Sequence, residues 1–191
     1  MIVIVLPDIE TEDQLLARAR QGDRHTITEI YNYYFEPIYQ FVQLRVDDLQ
    51  TAEDIVSEVF LKLIKTLQTR QAPRKSLRGW LFRVARNVLH DHYGKQRRLN
   101  TTALEEWLPL PDSHHPEAQF LQAAEAQAVR EALRRLPDEQ QEVLILRFGQ
   151  RLTLQETADI MGRSVSAIKS LQFRATDNLR KQMQVRKGSL Q

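Results

Sequence analysis

The sequence predicts an all-α protein: two small helical domains joined by an acidic, flexible linker, the second domain ending in a helix-turn-helix. Three observations predict it. Apolar residues recur at the i, i+3, i+4 spacing of helical stripes before residue 96 and again after residue 125. Asn100 to Ala124 lacks that periodicity and holds Pro109, Pro111 and Pro116. Near the end, small Ala158, turn-forming Gly162 and apolar Val165, Ile168 and Leu171 have the spacing of two helices crossing at a tight turn. The expected division is 8–99 for the first domain, 100–124 for the linker and 125–187 for the second domain.

Composition narrows the function classes. A chain of 191 residues that is 42% hydrophobic can bury a real core in one or two domains. It has no cysteine, which excludes a disulfide framework and a cysteine-based zinc site and fits a reducing cytosol. The opening MIVIVL is too short for a signal-peptide core or a membrane span, and no basic segment precedes it. The expectation is a soluble, cytoplasmic protein without membrane insertion. No pattern assembles a nucleophile or a phosphate-binding glycine loop. The five histidines show no ligand spacing, and the His114–His115 pair has no third ligand nearby. No catalytic residue, metal or cofactor is expected.

The elements follow in order. Thr11, with Glu12 and Asp13 behind it, is expected to start the first helix, and Gly22 to close it. Ile27, Ile30, Tyr31, Tyr34, Phe35, Ile38, Phe41 and Val42 form a second stripe, predicted as core, with Pro37 as a kink or break. Between Thr51 and Leu67, Ile55, Val56, Val59, Phe60, Leu63, Ile64 and Leu67 should face inward. Glu53, Asp54, Ser57, Glu58, Leu61, Lys62 and Lys65 lie outside that stripe. Asp54 and Glu58 are like charges one turn apart. Either Glu58 pairs with Lys62 and Asp54 serves the helix N-terminus, or a basic protein partner docks on this face. Gln68 to Lys75 is a polar, basic loop.

From Leu77 to Arg98, the residues Leu77, Trp80, Leu81, Val84, Ala85, Val88 and Leu89 make another stripe, with Ser76 as N-cap and Gly94 as the stop. The opposite face is expected to carry Phe82, Arg83, Arg86, Asn87, His90 and Tyr93, cations with rings among them. That mixture suits single-stranded nucleic acid, whose phosphates meet cations and whose bases meet rings and amides. It suits a membrane surface or an acidic partner equally. Charge segregation bears on the choice. Through Leu61 four Arg stand against twelve Asp and Glu, whereas from Lys62 to Arg98 eleven Lys and Arg stand against Asp91. The linker has Glu105, Glu106, Asp112 and Glu117 and no Lys or Arg, and Ile160 to Gln191 has seven basic residues against Asp177. Two basic blocks around an acidic spacer point to two contacts with a polyanion.

Fully extended, the linker reaches roughly 80 Å, beyond two turns of duplex DNA. Past it, Val129, Leu133 and Leu136 lead to Pro137, which breaks one helix, and Asp138, which can cap the next. Val143, Leu144, Leu146 and Phe148 are expected in the core. Ser164 caps the last helix, leaving Ser166, Lys169, Ser170, Gln172, Phe173 and Arg174 outside its inward set, where a DNA major groove would lie. The alternative is an ordinary helical hairpin.

AEDIVSEVFLKL, WLFRVARNVLHD, LPDEQQEVLILRF and the helix-turn-helix together resemble regions two and four of a bacterial sigma factor of the extracytoplasmic-function group, from about Thr11 to Met183. The resemblance implies that Asp54, Glu58, Phe60 and Leu61 dock on the polymerase β′ coiled coil, with a further contact to the β flap. It implies minus-ten DNA contacts, including a flipped base, from the loop Thr69 to Gly79 and the helix after it: Arg74, Lys75, Ser76, Trp80, Arg83, Arg86, Asn87, His90 and Tyr93. It implies minus-thirty-five contacts from Arg163, Ser166, Lys169, Ser170, Phe173 and Arg174. The implied partners are core RNA polymerase, promoter DNA in double- and single-stranded form and, for many members, an anti-sigma protein. The linker would thread the polymerase cleft. Ser57 replaces a usual Gln, SVSAIKSLQ lacks a usual Gly–Thr, Leu171 replaces a frequent Arg and Thr157 a common Ile. Two rivals remain: a helix-turn-helix regulator binding duplex DNA as a dimer, which leaves residues 51–98 unexplained, and a helical adaptor, which leaves the two basic blocks unexplained.

Overall fold

In the computed structural model, which describes residues 6–46, 48–69, 72–73, 76–96 and 126–188, every regular element is helical. The first unit is built on α1 (Ile9–Arg20), α2 (Arg24–Gln43), α3 (Leu49–Thr66) and α4 (Leu77–Gln96). Asp8 rather than Thr11 caps α1, its carboxylate accepting the Thr11 N–H at 2.8 Å. Asp23 does the same for α2 through His25 N–H at 3.0 Å, and Asp48 for α3 through Thr51 N–H at 2.7 Å. Each cap satisfies a backbone donor that the helix itself leaves unpaired. Gly22, with φ +86°, turns the chain out of α1, a conformation that costs glycine little.

These caps give the unit an acid limit. The hydrogen bonds from Thr11 hold Asp8 below the ordinary aspartate value of 3.8, and those from Thr26 and Thr51 do the same for Asp23 and Asp48. A depressed folded value means the stabilisation is complete above the unfolded value and is lost as pH falls through the folded one. Helicity followed by circular dichroism should therefore hold down to about pH 4 and decline below it. Asp8→Asn, Asp23→Asn and Asp48→Asn together keep the cap oxygen without the charge, and should flatten that decline. An unchanged acid transition in the triple variant would remove the caps as its cause.

The core of the first unit joins Ile30, Tyr34, Ile38, Phe41 and Val42 to Val56, Val59 and Leu63, and to Leu77, Leu81, Ala85 and Leu89. Phe82 belongs to it as well. It is fully buried, with its ring edge-on to Phe41 at 5.4 Å, so it is not part of the expected basic face. The reason is that α4 packs against α1, α2 and α3 together, which buries a wider arc than one stripe. Tyr31 and Ile64, expected in the core, are exposed because α2 and α3 bury only the parts of their stripes that face neighbours. Pro37 lies inside α2, which continues past it to Gln43, and α4 runs through Gly94 to Gln96.

In the second unit, residues 126–134 are helical (α5). There follow α6 (Asp138–Leu144), a π-helical turn (Ile145–Gly149), α7 (Leu154–Met161) and α8 (Val165–Gly188). Pro137 precedes α6 without any side-chain cap, so Asp138 is a first-turn acid facing the helix dipole and not the cap. Val143, Leu144, Leu146, Ala158, Ile168 and Ala175 are buried. Phe148 is 58% exposed, against expectation, because the π turn swings it away from the core. A capping box opens α7: Thr153 N–H donates to Glu156 Oε2 at 2.7 Å and Glu156 N–H donates to Thr153 Oγ1 at 3.2 Å. Thr157 is fully buried, yet its hydroxyl donates to the Thr153 carbonyl at 2.9 Å and is satisfied. Gly162 turns the chain at φ +66°, and Ser164 Oγ accepts the Ala167 N–H at 3.2 Å to cap α8 as the sequence indicates.

Candidate nucleic-acid and polymerase interface

On α3 the predicted docking residues divide. Asp54, Glu58 and Leu61, at i, i+4 and i+7, share one exposed face, Leu61 at 53% exposure. Phe60 is buried beneath the surface, its ring 4.9 Å from Tyr31. Tyr31 in turn lies 5.1 Å from Phe35, which stacks on Tyr39 at 5.7 Å. Sequence reasoning assigned Tyr31, Phe35 and Ile64 to the core and so missed an apolar surface beside the acids. Its only signal was a stripe denser in rings than one helix needs. Lys62 Nζ sits 2.8 Å from Glu58 Oε1, the intrahelical pair that the charge pattern allowed, and Gln50 donates to Asp54 at 3.2 Å.

On α4, Arg83, Asn87 and His90 are exposed and Trp80 is half-buried, and the four share one helical face. Arg86 and Tyr93 are half-buried on its flank. Asp91 is exposed in the same stretch and is the one acid of α4. Arg74 and Lys75 lie outside the described residues, as do the linker and His114–His115. Ser76 is engaged internally: its Oγ accepts Gly79 N–H at 2.9 Å and donates to Glu12 Oε1 at 3.0 Å.

Glu12, a first-turn acid in the sequence pattern, has a larger role in the structure. It is 3% exposed and also accepts Arg78 N–H at 3.0 Å and the Tyr34 hydroxyl at 3.1 Å. Arg78 Nε stands 3.6 Å from its second oxygen. Burial, reinforced by the Glu12 charge, pushes the Tyr34 hydroxyl far above its ordinary value of 10, so it remains a donor at any physiological pH. No local pattern marks these partners, which stand as many as 66 positions away in the chain.

On α8, Ser166, Lys169, Ser170, Phe173 and Arg174 are exposed, Phe173 at 76%. Arg163 is exposed at the turn and ion-paired with Glu139 of α6. Gln172 is half-buried and engaged within the unit: its Oε1 accepts from Arg147 Nε at 3.0 Å, while Arg147 also donates to the Leu152 carbonyl. A surface cavity of about 460 Å³ runs beside α8, with Phe148 and Phe173 both on its wall. Among the described residues no group of three or more metal-ligating side chains is assembled, and no helix is long and apolar enough to cross a membrane.

Comparison with known proteins fits this geometry. The family description "Sigma-70 region 2" matches residues 30–99, which take in α3 and α4, and "Sigma-70, region 4" matches residues 132–181. The ECF RNA polymerase sigma factor SigX of Bacillus subtilis is 30% identical over 170 residues, covering 86% of this chain and 87% of SigX. The chain belongs to the extracytoplasmic-function RNA polymerase sigma factors. This sigma factor is also 35% identical over 167 residues to the ECF sigma factor BldN of Streptomyces coelicolor. That match covers 87% of this chain and spans 63% of the length of BldN. Its fold is that of the sigma factor RpoE from Bartonella quintana, solved in complex with the anti-sigma factor NepR. There the TM-score is 0.65 at 20% identity, over 83% of this chain and 96% of RpoE.

Proposed function

We propose that this sigma factor binds core RNA polymerase and directs it to promoters. Residues 8–99 act as region two, docking on the β′ coiled coil through α3 and capturing melted minus-ten DNA on α4. Residues 125–187 act as region four, with α8 on the minus-thirty-five duplex and the unit seated on the β flap, and the acidic 100–124 segment spans the polymerase cleft. The polymerase supplies the chemistry, in the cytoplasm, and this chain needs no cofactor for its part. An anti-sigma protein competing for these surfaces is the expected negative partner, as NepR is for RpoE.

One observation carries the reading: Asp54, Glu58 and Leu61 stand exposed on one face of a rigid helix beside a row of aromatic rings. A regulator that only binds duplex DNA has no use for an acidic, apolar face on a unit separate from its helix-turn-helix. Asp54→Lys combined with Glu58→Lys should weaken binding to core polymerase at least about tenfold at physiological salt. Far-UV circular dichroism should be unchanged, since both side chains are exposed. Undiminished binding would remove the α3 assignment and pass core docking to another surface of the chain, whereas no binding to core by the wild-type chain would favour the duplex-only regulator.

A further inference from the structure

A buried carboxylate is an unusual choice for holding helices together, because well-packed apolar residues of the same volume often do so as well or better. Glu12 is placed for something more specific. Two of its bonds go to the start of α4: Ser76 Oγ–H at 3.0 Å and Arg78 N–H at 3.0 Å meet the same oxygen. Ser76 in turn accepts Gly79 N–H, so the carboxylate continues the cap of α4 by one further residue. Two turns on, Arg20 of the same helix donates to the carbonyl of Pro73, a residue buried in the loop before α4. Eight residues of α-helix span about 12 Å. Thus α1 grips that loop and the helix after it at two separated points, one before Ser76 and one after it.

We propose that α1 is a splint for the strand-capturing face: Glu12 and Arg20 are positioning residues that fix the approach to α4 and the direction of its first turn, and through them the setting of Trp80, Arg83 and Asn87. This rests on the reading of α4 as the face that takes melted minus-ten DNA. Neither residue touches DNA. A base pocket on a helix face discriminates only if that face is held to a fraction of an ångström, and side chains on loops are held less well than those on braced elements. The sequence just before Ser76, QTRQAPRK, is mostly polar and basic, whereas α4 after it is anchored by buried Leu77 and Leu81.

The test uses holoenzyme assembled from core polymerase and the full chain carrying Arg20→Ala, Arg20→Lys, Glu12→Gln or Asn87→Ala. Each enriches a random single-stranded DNA pool, and the preference for the best over the worst base is read at every selected position. Arg20→Ala and Glu12→Gln should lower that preference about tenfold at the positions that Asn87→Ala affects, while affinity for core stays within about twofold. Arg20→Lys, whose ammonium still donates to the Pro73 carbonyl, should recover most of the selectivity. Arg20 is exposed, so its variants decide the matter even if Glu12→Gln does not fold. Wild-type selectivity in the Arg20→Ala and Glu12→Gln holoenzymes, with Asn87→Ala impaired, would overturn the splint and leave the α4 reading standing. Wild-type selectivity in Asn87→Ala as well would overturn both. Loss of core affinity in step with selectivity would mean a general loss of fold, and would also overturn the splint.

Discussion

Replacing Glu12 by alanine is expected to cost the first unit roughly 3–5 kcal/mol, the range for breaking a buried charged pair from one side. The change leaves Arg78, whose side chain is 16% exposed, without the carboxylate at 3.6 Å. It also strands the hydroxyl of the fully buried Tyr34, itself a loss of about 1–3 kcal/mol that overlaps the first figure. Against a domain stability of about 5–15 kcal/mol, this is a large share. Urea unfolding followed by Trp80 fluorescence, in a chain whose Trp107 is replaced by Phe, reads the first unit alone. A midpoint loss worth less than about 1 kcal/mol would show that water satisfies what Glu12 leaves behind.

Asn87→Ala should impair promoter opening far more than promoter binding. The amide is exposed one turn beyond Arg83, and offers a donor and acceptors to a base that has lost its pairing partner. Losing an edge contact of this kind costs about 1–3 kcal/mol, or roughly five- to more than a hundredfold in open complex. Were Asn87 only a solvated helix residue, alanine would change little, since it is the better helix former. Transcription on duplex templates should show a large defect, partly rescued on templates carrying a pre-melted bubble. Normal permanganate reactivity of promoter thymines in the variant would pass the role to the segment from Thr69 to Gly79, whose last three residues open α4.

Much of the fold was legible because its helices bury stripes at 3.6-residue spacing, and because Ser76, Gly162 and Ser164 punctuate them as their side chains and φ angles require. The errors have physical causes. Asp8 and Thr11 are both good cap formers, and only coordinates show which one accepts the hydrogen bond. Phe82 was placed on the wet face because periodicity counts one buried stripe, whereas α4 is covered by three helices. Exposed Tyr31 and Ile64 mark the opposite case, apolar positions at the margin of the buried stripes, Tyr31 touching α3 through the Phe60 ring. Of the candidate sites, the exposed cations and amides were visible in sequence. The buried carboxylate was not, since its role is defined by tertiary partners on α2 and α4.

The π turn at Ile145–Gly149 has a consequence for anyone lining this chain up with its relatives. An α-helix advances about 100° per residue, and a π turn, closing its hydrogen bonds one residue later, advances less. The Gln150 N–H bonds to the Ile145 carbonyl at 2.9 Å, five residues back, so the wider turn absorbs its extra residue locally. Leu144 before it and Leu152 after it are both buried. Residues inside the turn, Arg147 and Phe148 among them, lie out of phase with any helical wheel drawn through Leu144. Position-by-position equivalence at those two sites thus depends on whether a relative carries the same wide turn, and an ungapped match is no guide to which way their side chains point.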